Sequence, residues 1–416
     1  MKNISEDSLL NPILIAGSLV LLISFAIRST FGLFQIPIAE EFLWARSEFS
    51  LAIAVQNLAW GIGTPIFSAF AEKYGDRKAI TLGLLLYAIG IFISSSATSP
   101  EAHQLLNILI GFGIAGSGFG PVLAVVGRST SNTNRSLALG ITTAAGSAGQ
   151  VIGPPLAATL LSVMPWSTVF EIFAIITLLT IILVPILKTN KNISDKKSNN
   201  NLNDALKEAI KDPTFIMLFF GFFSCGFQLA FITAHFPAFI AESSSPILQG
   251  SLISLVCNSV ESLGALSIAL IGLFNIIGSV LAGYLGKGNY KKYFLVIIYT
   301  GRTFASVIFI VLPITPLSVV IFSIVMGALW LATVPLTAGI IGYIYGLKFM
   351  GTLYGIVFLS HQIGSFVGVW LGGWFYDLYG SYDIVWWVGV GVGAFSAIIH
   401  LPVKEKPLID RKIVQA

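Results

Sequence analysis

Long apolar runs separated by short polar segments make up most of the chain between residues 13 and 402. Each run is long enough to cross a bilayer as an α-helix, which takes roughly 20 residues. The pattern therefore predicts an all-α membrane protein with twelve transmembrane helices. The predicted spans cover residues 13–38, 50–71, 79–98, 103–126, 138–162, 167–187, 214–240, 264–286, 293–313, 317–345, 351–375 and 383–402.

The composition agrees with a chain that lies mostly inside the bilayer. Hydrophobic residues make up 55% of the 416 residues and charged residues only 10%, whereas about 25% of the residues of a soluble domain are charged. The net charge of +4 does not indicate a nucleic-acid partner, because lysine and arginine are concentrated in loops on one side. If the N-terminus is cytoplasmic, Arg46 is the only basic residue in the outer loops. The positive-inside rule then predicts a multi-pass protein of the cytoplasmic (inner) membrane with both termini inside.

A polar segment divides the predicted spans into two sets of six. The segment after Leu187 reads KTNKNISDKKSNNNLNDALKEAIKD and is too hydrophilic to enter the bilayer. We predict an N-terminal half at residues 1–187, a cytoplasmic linker at 188–213, a C-terminal half at 214–402 and a cytoplasmic tail at 403–416.

The two halves repeat each other. The glycines of the fifth span recur in the eleventh span with the same spacing, 215 residues later, and QIPIAE around Pro37 matches HFPAFIAE around Pro237 at an offset of 200. Parallel repeats joined by a linker predict two pseudo-symmetric six-helix bundles with a substrate site between them. The glycines are expected to let helices approach closely and slide. They are Gly140, Gly149 and Gly153, followed by Pro154, and Gly355, Gly364 and Gly368.

Three blocks resemble the major facilitator superfamily of transporters. FAEKYGDRK, which contains Glu72, Gly75 and Arg77, is similar to that family's loop after span two, although Asp76 interrupts its basic end. GITTAAGSAGQVIGPPLA resembles its span-five glycine-proline motif, and the span-eleven block from Gly351 resembles the monocarboxylate-porter and oxalate/formate antiporter branch. The resemblance implies alternating access by a transporter, not an enzyme, with no catalytic residues. It also implies that Asn275 and Ser279 stand where monocarboxylate porters carry an aspartate and an arginine.

Arg28 is the main candidate for substrate binding. A permanent charge in the first apolar span costs at least ~2.5 to 3.5 kcal/mol, so it indicates a partner or a wet cavity. A guanidinium binds a carboxylate through two hydrogen bonds, which favours an anion-binding role. The alternative is an arginine that ties helices together through backbone carbonyls or reaches the interface.

Further candidate ligands are polar residues within the apolar spans. Gln228 is equivalent to Arg28 at the offset of 200, and either faces it across the axis or satisfies a helix carbonyl. Arg302 is a helix tie or a second anion ligand, with the tie favoured because span nine is peripheral in this family. His361 either couples protons or links helices. The predicted binding set is Arg28, Gln228, His235, Asn57, Asn275, His361, Gln362 and Arg302.

No cofactor or metal is expected, because Cys225 and Cys257 lack the spacing of metal ligands. The sequence predicts a secondary transporter or facilitator for a small organic anion, a monocarboxylate, working as a monomer in the bilayer by symport or antiport with protons or a counter-anion. The alternatives are a proton-coupled exporter of drugs or other small solutes, and a transporter-like receptor.

Overall fold

A computed structural model describes residues 11–44, 46–188, 201–246, 253–255, 259–288 and 290–413. Within these ranges, eleven helical segments are long and apolar enough to cross a membrane. A further helix of 27 residues, Arg135–Leu161, is not among the eleven. Glycine, alanine, serine and threonine make up much of this helix, which lowers its hydropathy. The structure therefore agrees with an all-α membrane protein, and the twelfth span remains a prediction.

The N-terminal half contains eight α-helices, several of which are joined end to end within one predicted span. The first predicted span is interrupted by a 3-10 turn at Phe31–Phe34, and the sixth ends in another at Thr180–Ile186. The α-helices are α1 Pro12–Arg28, α2 Gln35–Phe42, α3 Arg46–Tyr74, α4 Asp76–Ser94, α5 Pro100–Ser117, α6 Phe119–Arg128, α7 Arg135–Leu161 and α8 Trp166–Leu179.

The linker contributes one amphipathic helix, α9 Leu202–Lys211, and residues 189–200 lie outside the described residues. The remaining helices are α10 Pro213–Ser243, α11 Val260–Leu285, α12 Lys291–Val311, α13 Pro316–Leu329, α14 Thr333–Tyr345, α15 Met350–Tyr379, α16 Asp383–His400 and the terminal α17 Leu408–Ile413.

Equivalent prolines account for two of the helix breaks. Pro121 is the third residue of α6 and Pro335 the third residue of α14, and they lie 214 positions apart. A proline has no N–H for the carbonyl four residues earlier, and its ring collides with that carbonyl. The affected carbonyls belong to Ser117 and Leu331, where α5 gives way to α6 and α13 to α14. Each half thus has a discontinuous helix at the same place.

The helices of the two halves pack in the same arrangement. Helices α1 and α7 pair in one half as α10 and α15 pair in the other, and α3–α5 corresponds to α11–α13. The halves meet along two equivalent interfaces, α7 with α11 and α3 with α15. This organisation is what the internal repeat predicts.

Most of the repeated glycines lie within a half, not between halves. A Cβ at Gly149 or Gly153 would overlap the backbone of α1, and one at Gly364 or Gly368 would overlap the backbone of α10. Only the first glycine of each set faces the other half: a Cβ on Gly140 would lie 2.8 Å from Cα of Gly283 on α11. The glycines therefore mainly hold each bundle together. Their predicted sliding role fits only Gly140 and its equivalent, Gly355.

The halves are in contact at the end of the molecule that includes the α3–α4 turn, α9 and α17, called here the linker end. Glu72 on α3 accepts a hydrogen bond from the backbone N–H of Thr352, at 3.0 Å, and another from its hydroxyl. These groups belong to the first turn of α15, where the helix dipole favours a negative charge. A Cβ at Gly355 would lie 2.7 Å from Cα of Pro65, so α3 and α15 touch closely here.

The turn between α3 and α4 contains a glycine with a positive φ angle. Gly75 has φ +106°, a conformation that L-residues with side chains rarely adopt. Asp76 next to it forms an ion pair with Arg128 at the end of α6, so the residue that interrupts the family motif has a structural partner. Arg77 is partly exposed on α4.

The terminal helix is fastened to the linker end by an ion pair. Arg411 donates to Asp212 at 2.7 Å, and the Tyr345 hydroxyl donates to the same carboxylate at 2.7 Å. Burial raises the pKa of Asp212, but the hydrogen bonds from Arg411, Tyr345 and Thr214 and the charge of Arg411 bring its pKa below its ordinary value. The carboxyl group is therefore ionised at neutral pH and keeps α17 in place.

Candidate substrate site

Arg28 is the last residue of α1, at a break in the first span. The chain leaves the α-helix at Ser29 and re-enters helical structure at Phe31–Phe34. A helix C-terminus carries partial negative charge, which favours a cation in its last turn. The break therefore helps to explain why a charged residue is tolerated within an apolar span.

Among the described residues, the guanidinium of Arg28 contacts the side chains of Asn57 and Trp60. Its Nη2 donates to Oδ1 of Asn57 at 2.6 Å, and its Cζ lies 4.6 Å from the ring centre of Trp60. Its Nε is buried and has no hydrogen-bond partner. The ion pairs among the described residues do not include Arg28. Its positive charge is therefore not neutralised by a carboxylate in this structure.

Trp60 connects Arg28 to aromatic residues of both halves. The ring centre of Trp60 lies 5.5 Å from that of Phe25 on α1 and 6.4 Å from that of Phe119 at the start of α6. It also lies 4.9 Å from that of Phe358 on α15, in the other half. Phe358 in turn stacks on His361 at 5.2 Å. The candidate site is thus a polar and aromatic cluster at the junction between the halves.

Three hydrogen-bond donors of the cluster have no partner among the described residues. They are Nε of Arg28, Nε1 of Trp60 and Nε2 of Gln362, all buried. Gln362 packs against Gly61, the residue after Trp60. Buried polar groups in native structures almost always have partners. Three unsatisfied donors therefore indicate a site for a group that only accepts hydrogen bonds.

His361 lies in the C-terminal half of the cluster, between Phe358 and Phe222. Its ring centre is 5.2 Å from the centre of each of the two phenylalanine rings. Both ring nitrogens are buried, and neither has a partner within hydrogen-bond distance among the described residues. The thiol of Cys225 is close enough to interact with it electrostatically. His361 thus contacts both the aromatic cluster and the Cys225 thiol of α10.

Gln228 does not face Arg28. Its Nε2 donates to the carbonyl of Gly389 on α16, at 2.9 Å, inside the C-terminal half. The glycine contacts give the reason: α7 packs on Leu22 and Ala26, whereas α15 packs on Phe223 and Phe227, each 201 positions later. The true offset before the break in the first span is therefore 201, not 200. One residue rotates a helix position by about 100°, which turns Gln228 away from the site.

His235 joins two helices of the C-terminal half. Its Nε2 lies 3.0 Å from the carbonyl oxygen of Val369 on α15, and its ring is 5.3 Å from that of Tyr382. This geometry is that of a hydrogen-bonded wall residue.

Arg302 and Asn275 satisfy the backbone groups freed by the break between α13 and α14. Arg302 is fully buried and donates to the carbonyls of Leu329, at 2.7 and 3.0 Å, and Trp330. The amide oxygen of Asn275 accepts from the N–H of Leu331 at 2.9 Å, and its nitrogen donates to Ser147 across the halves at 2.8 Å. Nη1 of Arg302 is buried without a partner among the described residues, but the bonds of Nε and Nη2 to backbone carbonyls favour the helix-tie interpretation of Arg302 over a ligand role.

Phe119 and Phe358 belong to the cluster but were not among the predicted ligands. A signal for Phe119 exists in the sequence, because GFGP and ATVP place Pro121 and Pro335 at equivalent positions of the two halves. Interrupted helices at corresponding positions of a repeat indicate the binding region of a transporter. Phe358 gave no comparable signal, since phenylalanine is common in every span.

Comparisons with known proteins agree with the fold and the repeat. The family model described as Major Facilitator Superfamily matches residues 17–337. The chain is 27% identical to the Uncharacterized MFS-type transporter YcxA of Bacillus subtilis (strain 168), covering 92% of each chain. It is 24% identical to Monocarboxylate transporter 13 of Rattus norvegicus over 91% of this chain and 85% of that protein.

A more distant relative is the Hexuronate transporter of Bacillus subtilis (strain 168), 20% identical over 69% of this chain and 66% of that protein. Among solved structures, the transporter FucP in the outward conformation superposes with a TM-score of 0.71 at 14% identity, covering 94% of this chain and 98% of that one. At that identity the likeness concerns the fold alone. The family match extends over most of the chain, and the chain therefore belongs to the Major Facilitator Superfamily, whose members are transporters and not enzymes.

Proposed function

We propose that this protein is a secondary transporter that moves a small monocarboxylate across the cytoplasmic membrane, with Arg28 as the ligand of the carboxylate. The observation that carries the proposal is the guanidinium of Arg28, which forms no ion pair with a described carboxylate and lies in a cluster where Trp60 Nε1 and Gln362 Nε2 are also buried donors without partners. A carboxylate supplies only acceptors, and it supplies the missing negative charge.

The chemistry of the site disfavours the other substrate classes. A cationic drug needs an acidic or acceptor-rich site, and the carboxylates of the described residues lie away from Arg28: Glu72 is at the linker end, and Glu171 is exposed on α8. The names of two relatives, Monocarboxylate transporter 13 and Hexuronate transporter, are those of organic-acid transporters. An anion therefore fits both the free donors and the relatives.

Alternating access follows from the two equivalent interfaces. The halves touch at the linker end through Glu72 and Thr352, and the positive-inside rule assigns that end to the cytoplasm. We interpret this state as closed toward the cytoplasm. Rocking of the halves about the Arg28 cluster then opens the linker end.

The test compares Arg28→Gln with the wild-type protein in purified form and in proteoliposomes. A charge-assisted hydrogen bond contributes roughly 1.5 to 3 kcal/mol, so Arg28→Gln is expected to weaken carboxylate binding about 10- to 150-fold while the protein stays folded. Arg28→Lys keeps the charge but loses the planar two-point geometry, and rescues only in part. Lys73→Gln, an exposed cation on the linker end, is the control and leaves affinity unchanged.

Uptake into proteoliposomes separates the remaining alternatives. A proton gradient that drives accumulation indicates symport, whereas dependence on a preloaded carboxylate indicates antiport. Binding that responds to Arg28→Gln without any solute movement identifies a transporter-like receptor. Unchanged carboxylate affinity in Arg28→Gln contradicts the role given to Arg28.

A further inference from the structure

The surroundings of Arg28 also restrict the part of the substrate that is not the carboxylate. The residues next to the guanidinium and Trp60 are the buried rings of Phe25, Phe119 and Phe358. Phe25 and Phe119 contact each other as well, with ring centres 4.6 Å apart. The charged end of the site is therefore followed directly by an aromatic wall.

On the side of this wall that belongs to the N-terminal half, several polar side chains are already paired. Ser24 bonds Ser117 at 2.9 Å, Gln56 donates to Asn107 at 2.8 Å, and the Tyr87 hydroxyl donates to the carbonyl of Ser24 at 3.2 Å. All of these groups are buried. A substrate hydroxyl directed at these paired groups would lose its water without gaining a partner, which is unfavourable.

Phe358 is the part of the aromatic wall that belongs to the C-terminal half. It belongs to α15 and contacts Trp60 and Phe119 of the other half, at 4.9 and 6.1 Å. Relative movement of the halves separates these rings and exposes aromatic surface next to Arg28. A flat apolar group is the occupant that matches such a surface, because aromatic rings gain from stacking in addition to the burial of area.

We infer that the substrate is an aromatic monocarboxylate, a carboxylate attached to a flat apolar ring, and not a polyhydroxylated sugar acid. This inference rests on the proposed function, since Arg28 must bind the carboxylate. The ring is placed against Trp60, Phe119 and Phe358, and the carboxylate against the free donors of Arg28 and Trp60.

The experiment measures dissociation constants of the purified protein for four matched probes: phenylacetate, propionate, gluconate and the neutral phenylacetamide. Phenylacetate is expected to bind at least about tenfold more tightly than propionate, because burial of a ring of this size is worth a factor of this order. Gluconate is expected to bind more weakly than propionate, and phenylacetamide to lose the contribution of Arg28.

A variant of Phe358 tests where the aromatic ring of the substrate binds. Phe358→Leu keeps an apolar side chain but removes the ring, and is expected to weaken phenylacetate binding about threefold to tenfold without changing propionate binding. Phe309→Leu is the matched control: Phe309 is an equally buried ring that stacks on Phe322 at 4.3 Å, elsewhere in the C-terminal half. Phe309→Leu is expected to leave the ratio of the phenylacetate and propionate affinities unchanged.

The outcomes separate this inference from the proposed function. If propionate or gluconate binds as tightly as phenylacetate, and all affinities fall in Arg28→Gln, the aromatic selectivity is refuted and the anion site stands. If phenylacetamide binds as tightly as phenylacetate, or no carboxylate binds, the proposed function fails and the inference with it. Equal effects of Phe358→Leu and Phe309→Leu on the affinity ratio contradict the placement of the ring.

Discussion

Replacement of Arg302 by methionine tests whether this buried arginine stabilises the broken tenth span. Nε and Nη2 of Arg302 donate to the carbonyls of Leu329 and Trp330, at the point where Pro335 prevents the helix from continuing normally. Methionine fills much of the space but donates no hydrogen bond. Arg302→Met therefore leaves two buried carbonyl groups without these donors.

The magnitude follows from the cost of an unsatisfied group. Each buried carbonyl left without a partner costs about 1 to 3 kcal/mol, so two cost about 2 to 6 kcal/mol. Removal of a buried charge that no carboxylate neutralises offsets part of this loss. The net effect is expected at the lower end, near 2 kcal/mol, or a fall of roughly a few degrees in the apparent melting temperature.

The assay is thermal unfolding of the purified variant, together with carboxylate binding below the transition. Arg302→Met is expected to melt earlier, while the affinity of the folded fraction stays within about threefold of the wild-type value, because Nε and Nη2 of Arg302 already donate to backbone carbonyls. Arg28→Gln is expected to show the opposite pattern. An Arg302→Met variant that melts like the wild type but no longer binds a carboxylate would refute the capping role and make Arg302 a ligand.

Three further predictions concern the linker end. Gly355→Ala places a Cβ 2.7 Å from the opposite backbone and is expected to increase the labelling rate of a cysteine placed at the buried Ala124, whereas Gly373→Ala, with open space around it, should not. Glu72→Gln removes the charge at the N-terminus of α15 and is expected to raise the same rate about twofold to fivefold; an unchanged rate contradicts the cap. Arg411→Gln is expected to speed amide hydrogen exchange in residues 408–413. Acid is expected to have the same effect, because the pKa of the Asp212 carboxyl group is lower in the folded protein than its ordinary value of 3.8. The Arg411–Asp212 ion pair therefore contributes fully above about pH 3.8 and is lost as the pH falls through the folded-state pKa. Equal exchange in the variant and wild type would show that the ion pair does not hold α17.

The sequence determined the helical membrane architecture and identified Arg28 as the main candidate ligand. Hydropathy is a local property, so runs of about 20 apolar residues indicate spans without knowledge of their neighbours. The repeat of Gly140, Gly149 and Gly153 at Gly355, Gly364 and Gly368 likewise required only the chain itself. An unpaired arginine in such a run indicates a partner or a cavity in any fold.

Only the tertiary structure decided which polar residues remain available to a substrate. Arg28 and Arg302 are both arginines inside apolar spans, but Arg302 donates to backbone carbonyls at the break beside α13, whereas Arg28 donates to the side chain of Asn57 at the junction between the halves. Gln228 points away from the site because a shift of one position along a helix rotates the side chain by about 100°. The offset of 200 was taken from residues beyond the break in the first span, so it does not apply to the residues before the break. Whether a donor is free depends on every neighbour in space, and pairs such as Gln56 with Asn107 are distant in sequence.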